Sequence, residues 1–174
     1  AEHHIGAVNS INWARIAAQV VYYFSAWLQA TESPDEEVAF SVPSGNFGDI
    51  LAGWIAKNMG LPVKQLIVAT NENDVLYEFF RSGRYRVRDS AHTFVTSSPS
   101  MDISKASNFE RYIYDICGKN PNRVTELWDE LGQKGEFLLD SDEWNRVKES
   151  GFTAARSTHA DRIRRIRETW EKHQ

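Results

Sequence analysis

Hydrophobic positions along the chain alternate between helical and strand spacing. From Asn9 or Ser10, a plausible N-cap, to about Ala30, Ile11, Ala14, Ile16, Ala18, Val20, Val21, Phe24, Trp27 and Leu28 fall on several sides of a helix. A helix apolar nearly all round is expected to be buried between a sheet and other helices. Thr31-Glu-Ser-Pro-Asp-Glu-Glu37 is a polar turn. Val38, Phe40 and Val42 form a short strand that Pro43 ends, because proline donates no ladder hydrogen bond. From Asp49 the spacing is helical again, with Ile50, Leu51, Trp54, Ile55 and Met59 on one face and a cap at Gly60 before Pro62. Leu66-Ile-Val-Ala-Thr70 predicts a second strand. Strand, helix, strand with short connections is a right-handed crossover building a parallel sheet.

The later chain is read as mostly helical. Val75, Leu76, Phe79 and Phe80 follow a capping cluster, Asn71-Glu-Asn-Asp74, whose alternative role is a wall of a ligand site. His92 to Asp102 is a hydroxyl-rich loop. Helices are predicted from Asn108 to Gly118, through Val124, Leu127, Trp128 and Leu131 to Gly132 or Gly135, from Asp140 onward, and from Thr158 to Trp170. The fold class is α/β: a partial open parallel sheet with flanking helices, then a mostly helical C-terminal half. Residues 1–103 form the α/β portion and 104–174 the helical portion.

Between the first strand and its helix stands Ser44-Gly-Asn-Phe-Gly48. A loop opening a helix exposes unpaired N–H groups at the positive end of the helix dipole, a ready anion site most often used for phosphate. Gly-x-x-Gly equally serves a plain turn, and spacing alone leaves both readings open. In a parallel sheet ligands bind beyond the carboxyl ends of the strands, where Ser44–Gly48 and Asn71–Asp74 both fall.

Composition narrows the classes. The chain has 174 residues, enough for one sizeable core, and a formal charge of -4, which gives no electrostatic case for nucleic acid or an anionic membrane. Arg81, Arg84, Arg86 and Arg88 read as a solvated turn and short strand rather than an RNA surface. Cys117 is the only cysteine, which fits a reducing cytoplasm and excludes an internal disulfide. No apolar run reaches membrane-spanning length and no signal sequence opens the chain. His92 has no acid at useful spacing to serve a serine nucleophile. His159 and His173 lack partners at metal spacing, so no metal site is expected.

Val42-Pro-Ser-Gly-Asn-Phe-Gly-Asp49 resembles the phosphate-binding loop of threonine synthases, pyridoxal-phosphate enzymes of the tryptophan-synthase-β group (fold type II). Four further stretches resemble the same family in the same order: Gly6 to Arg15, Ala69 to Asp74, Ser98-Pro-Ser-Met-Asp-Ile103 and Ser107-Asn-Phe-Glu-Arg111. Together they span most of the chain and are most similar to the longer form of fungi and many bacteria. The resemblance implies that 1–174 is part of the large cofactor-binding domain of a longer enzyme. It implies pyridoxal 5'-phosphate as cofactor, held at its phosphate by Gly45, Asn46, Phe47 and Gly48, with Ser44 as a further contact. It implies O-phospho-L-homoserine as substrate, near Ser10, Asn12 and Arg15, the arginine suited to a phosphate or carboxylate. Capping of the first helix and a surface arginine are the alternative for those three.

The Schiff-base lysine, in a Phe-Lys-Asp setting upstream in the family, has no counterpart among these residues. No initiator methionine is present. The expectation is therefore a fragment, inactive alone, that works with the remaining parts of its parent chain. Alternatives are a fragment of another enzyme of the same group, a dehydratase or sulfhydrylase, or a non-catalytic α/β-helical interaction module.

Overall fold

The computed structural model describes residues 11–173. Helix α1 (Trp13–Ala30) leads to strand β1 (Val38–Pro43), helix α2 (Gly48–Asn58) and strand β2 (Val63–Thr70). Helix α3 (Val75–Ser82) and strand β3 (Arg84–Arg86) follow, then a long loop with two short 3-10 turns. The remainder is α4 (Phe109–Ile116), α5 (Pro121–Lys134), β4 (Glu136–Leu138), α6 (Ser141–Glu149), β5 (Phe152–Arg156) and α7 (His159–His173).

The parallel sheet has the order β1-β2-β5. Its register sets the rows Phe40, Leu66, Phe152 and Val42, Val68, Ala154 side by side. Successive side chains of a strand point to opposite faces, so these rows share one face. All the packed helices cover it. Tyr23 of α1 meets Phe40 at a ring distance of 4.8 Å; Phe80 of α3 and Tyr112 of α4 each meet Phe152 at 5.0 Å. Ser41, Pro43 and Ala155, on the other face, are exposed.

Strand β5 lies in the stretch read as helical and joins it to the α/β portion as the third strand of one sheet. Phe-Thr-Ala-Ala-Arg is short, and its two alanines carry no strand signal. The small antiparallel pair β3–β4 sets both Arg84 and Arg86 on Glu136, at 2.5 and 2.8 Å. The arginine cluster is thus partly neutralised within the protein.

Helix α1 departs from its expected burial. Ile16, Val20 and Tyr23 are buried, yet Val21, Tyr22 and Leu28 are more than 60% exposed. α1 packs against α2 along a single stripe, so its apolar far side has no cover among the described residues. Its N-cap is Asn12, whose Oδ1 accepts from the Ala14 N–H at 3.0 Å; Asn9 and Ser10 lie outside the described residues.

Candidate functional site

The turn from β1 into α2 is tied at both ends. Ser44 N–H donates to Ala69 O of β2 at 2.9 Å, and the Ser44 hydroxyl donates to Val42 O at 3.3 Å. Asn46 Oδ1 accepts from Gly48 N–H at 3.1 Å, while Asn46 O accepts from Asn108 N–H at 3.0 Å. Between these ties Phe47 takes a left-handed conformation (φ 65°), rare for a residue with a side chain. Its ring is fully buried against Phe80, Phe109, Tyr112 and Phe152. Among the described residues the N–H groups of Gly45 and Phe47 have no hydrogen-bond partner.

Those groups border a cavity of about 340 Å³ at the carboxyl end of β1. The loop is its floor, Arg15 and Gln19 of α1 one wall, and Ser100, Met101 and Ile103 the other. Gly45 stands close to the far wall: a Cβ there would lie 2.9 Å from Ile103 Cδ1 and 3.3 Å from Met101 Cα. Gln19 Oε1 is buried with no partner among the described residues. Asp49, in the first turn of α2, also lines the cavity; desolvation by the surrounding protein raises its carboxyl above the usual range, against a lowering from the Tyr23 hydroxyl. Tyr23 itself donates to the Asp49 carbonyl at 3.0 Å, locking α1 to the start of α2.

Of the residues singled out in the sequence, Gly45, Asn46, Phe47, Gly48 and Arg15 line this one cavity. Gly48 does so with its N–H already engaged by Asn46. Asn12 does not line it and caps α1. Ser10 lies outside the described residues. Gln19 was missed; its place one turn after Arg15 on the same helix face was the available signal.

Asn71 and Asn73 do not cap α3, which has no side-chain cap. Both are buried and anchor the hydroxyl-rich loop instead. Asn73 Nδ2 donates to Phe94 O at 2.9 Å and its Oδ1 accepts from Phe94 N–H at 2.8 Å. Asp102 Oδ1 accepts from Asn71 at 2.7 Å, Asn73 at 3.1 Å and the Thr96 hydroxyl at 2.7 Å, and Oδ2 accepts from Thr96 N–H at 2.9 Å. Desolvation raises the Asp102 carboxyl, but these donors outweigh it and the net shift is downward. Asp74 pairs with Arg88 and, at 2.6 Å, with Arg156. His92 is exposed and sits 2.6 Å from Asp89, so an acid does lie beside it, three residues back, against the expectation that none had useful spacing.

A larger groove of about 740 Å³ runs between α2, α4 and α5. Its polar members are engaged in the protein: Asp115 accepts from Trp54 Nε1 at 3.0 Å and Arg111 donates to Ile11 O at 2.9 Å. The smaller cavity, with donors converging at a helix start, is the stronger site. Among the described residues no group of three or more histidine, cysteine or acidic side chains is placed to hold a metal ion, and no helix is long and apolar enough to cross a membrane.

No family model matches the sequence. Curated relatives do. The chain is 60% identical to threonine synthase of Corynebacterium glutamicum, over 95% of its own length and 35% of that protein's, and 43% identical to the Saccharomyces cerevisiae threonine synthase over 98% and 34%. A solved structure of threonine synthase from Brucella melitensis with PLP bound superposes with a TM-score of 0.82 at 49% identity, covering 88% of this chain and 32% of that one. The chain spans about a third of the length of the curated relatives it matches.

Proposed function

From this chain's place in the threonine synthase family, to which it belongs by sequence and by fold, we propose that it supplies the cofactor-phosphate cradle of an enzyme converting O-phospho-L-homoserine and water to L-threonine and phosphate. The observation that carries the reading is the loop at the carboxyl end of β1: Gly45 and Phe47, whose N–H groups have no partner among the described residues, line a cavity at the start of α2. Pyridoxal 5'-phosphate, when bound, supplies the electron sink for the reaction. The residues present fit its phosphate, since Ser44 to Gly48 line the cavity where α2 begins and a helix N-terminus favours an anion. The Gln19 Oε1, buried and without a partner among the described residues, has hydrogen-bonding capacity left for a bound group.

This chain's own part in the chemistry is to bind and orient. Backbone N–H groups of the loop hold the phosphate without a counter-charge that would need reorganising. Arg15, on the α1 wall, carries a guanidinium suited in geometry to a phosphate or carboxylate of the substrate. No lysine lines the cavity among the described residues, so the lysine that carries the cofactor comes from elsewhere in the parent protein.

The test is turnover by the full-length protein that contains this chain, with pyridoxal 5'-phosphate and O-phospho-L-homoserine. Equimolar phosphate and L-threonine are expected, and neither from residues 1–174 alone. A 2-oxo acid with ammonia in place of threonine would move the chain to a dehydratase, a thiol amino acid formed only when sulfide is also supplied would move it to a sulfhydrylase, and no cofactor uptake at all would leave a non-catalytic module.

A further inference from the structure

Resting on the cradle reading above, we infer that Asp102 is a positioning residue that holds the far wall of the anion site closed over the loop. The wall, Ser100 to Ile103, belongs to the long loop after β3, which has no regular structure beyond two 3-10 turns, one of them (Pro99–Met101) in the wall itself, so its own backbone does not fix it. It nevertheless touches the cradle closely: a Cβ at residue 45 would lie 3.3 Å from Met101 Cα and 2.9 Å from Ile103 Cδ1, so any side chain there would press on the wall.

What fixes the wall lies on the opposite side of the same loop. The Asp102 carboxylate takes hydrogen bonds from Asn71, Asn73 and both the N–H and hydroxyl of Thr96. Asn71 and Asn73 are buried at the carboxyl end of β2. Asn71 Oδ1 in turn accepts from Asn73 N–H at 2.8 Å, which orients both amides. The loop thus bridges the ends of adjacent parallel strands: Asp102 is pinned to β2, and its neighbours Met101 and Ile103 press on the turn that follows β1. A wall held this way shields the phosphate from water on the side where the backbone donors offer nothing, and an ion held in a drier site is bound more strongly.

In this arrangement Asp102 acts only on ligands that occupy the phosphate subsite. The experiment compares dissociation constants of pyridoxal 5'-phosphate and of pyridoxal, which lacks the phosphate, for the full-length protein and its variants. Asp102→Asn keeps the size of the side chain but turns an NH2 toward one of the donors. It is expected to weaken pyridoxal 5'-phosphate by about tenfold, the effect of one or two lost hydrogen bonds, and to leave pyridoxal unchanged. Equal weakening of both ligands would mean a merely structural role and would overturn the inference, as would no weakening of either. Gly45→Val separates the two claims. If it spares the preference for the phosphorylated ligand, the cradle itself is wrong; if it abolishes that preference while Asp102→Asn does not, only the latch is wrong. Should Asp102→Asn fail to fold, Thr96→Val removes one donor hydroxyl and keeps the carboxylate; the same selective loss, smaller, is expected, and an unchanged ratio overturns the inference.

Discussion

The ring of Tyr23 occupies the space where residue 53 would carry a side chain: a Cβ at Gly53 would lie 2.6 Å from Tyr23 Cε1 and 3.0 Å from Leu66 Cδ2. Gly53 is in the middle of α2, where alanine ordinarily gains about 1 kcal/mol in helix propensity. Here the close approach of α1 to α2 reverses that sign. Gly53→Ala is expected to destabilise by about 1–3 kcal/mol as an overpacked core, seen as a lower urea midpoint with an unchanged slope. A rise in the midpoint would show that the two helices do not meet as described.

Phe47 combines a left-handed backbone with a fully buried ring. Phe47→Ala is expected to cost about 3–5 kcal/mol for the emptied aromatic cluster. Phe47→Gly leaves the same hole yet relieves the backbone, so it should be the more stable of the two by about 1 kcal/mol. Urea melts of the pair check this, and alanine at or above glycine would contradict the φ of 65°.

Asn46 separates loop rigidity from anion charge. Its Oδ1 holds the Gly48 N–H, so Asn46→Ala should cost about 1 kcal/mol of stability. Asn46→Asp keeps that acceptor and should melt near the wild type, but it adds a negative charge beside the cavity. Its affinity for inorganic phosphate should therefore fall by about tenfold. Equal phosphate affinity in Asn46→Asp and wild type would place the anion elsewhere.

Asp74 gives the protein an acid-sensitive tie. Burial raises its carboxyl, but Arg88 and Arg156 outweigh that and the net shift is downward. A depressed pKa contributes stability above the unfolded value of about 3.9, lost as pH falls through the lower folded value. Asp74→Asn should therefore be less stable than wild type at pH 7, with the difference shrinking below about pH 4. A difference constant down to pH 2 would argue against the ion pairs.

The sequence carried the β1–loop–α2–β2 unit plainly, because Val38–Val42 and Leu66–Thr70 are β-rich and Asp49–Met59 has a clean helical face. The turn from Ser44 to Gly48 was legible for the same reason, as glycines at a strand-to-helix junction, while its cofactor role came only from the family resemblance. β5 was not legible, since Thr153, Ala154 and Ala155 become a strand only because β2 offers an edge. The roles of Asn71, Asn73 and Asp102 were hidden too. Asparagines ahead of a helix read as caps, and nothing local says that their partner lies about thirty residues on. α1 misled in the opposite way: its apolar far side predicts burial, and among the described residues the stripe facing α2 and Phe40 of β1 is what becomes buried.

The long detour between β2 and β5 bears on how the chain is made. As it leaves the ribosome, β1, α2 and β2 can assemble from neighbouring contacts, but Leu66 must wait for Phe152, beyond four intervening helices, before its outer hydrogen bonds are met. Throughout that interval a β-rich strand with one open side is available to any other extended segment nearby. Synthesis rate and chaperone supply, more than the stability of the finished sheet, should then govern how much of this chain reaches its native form.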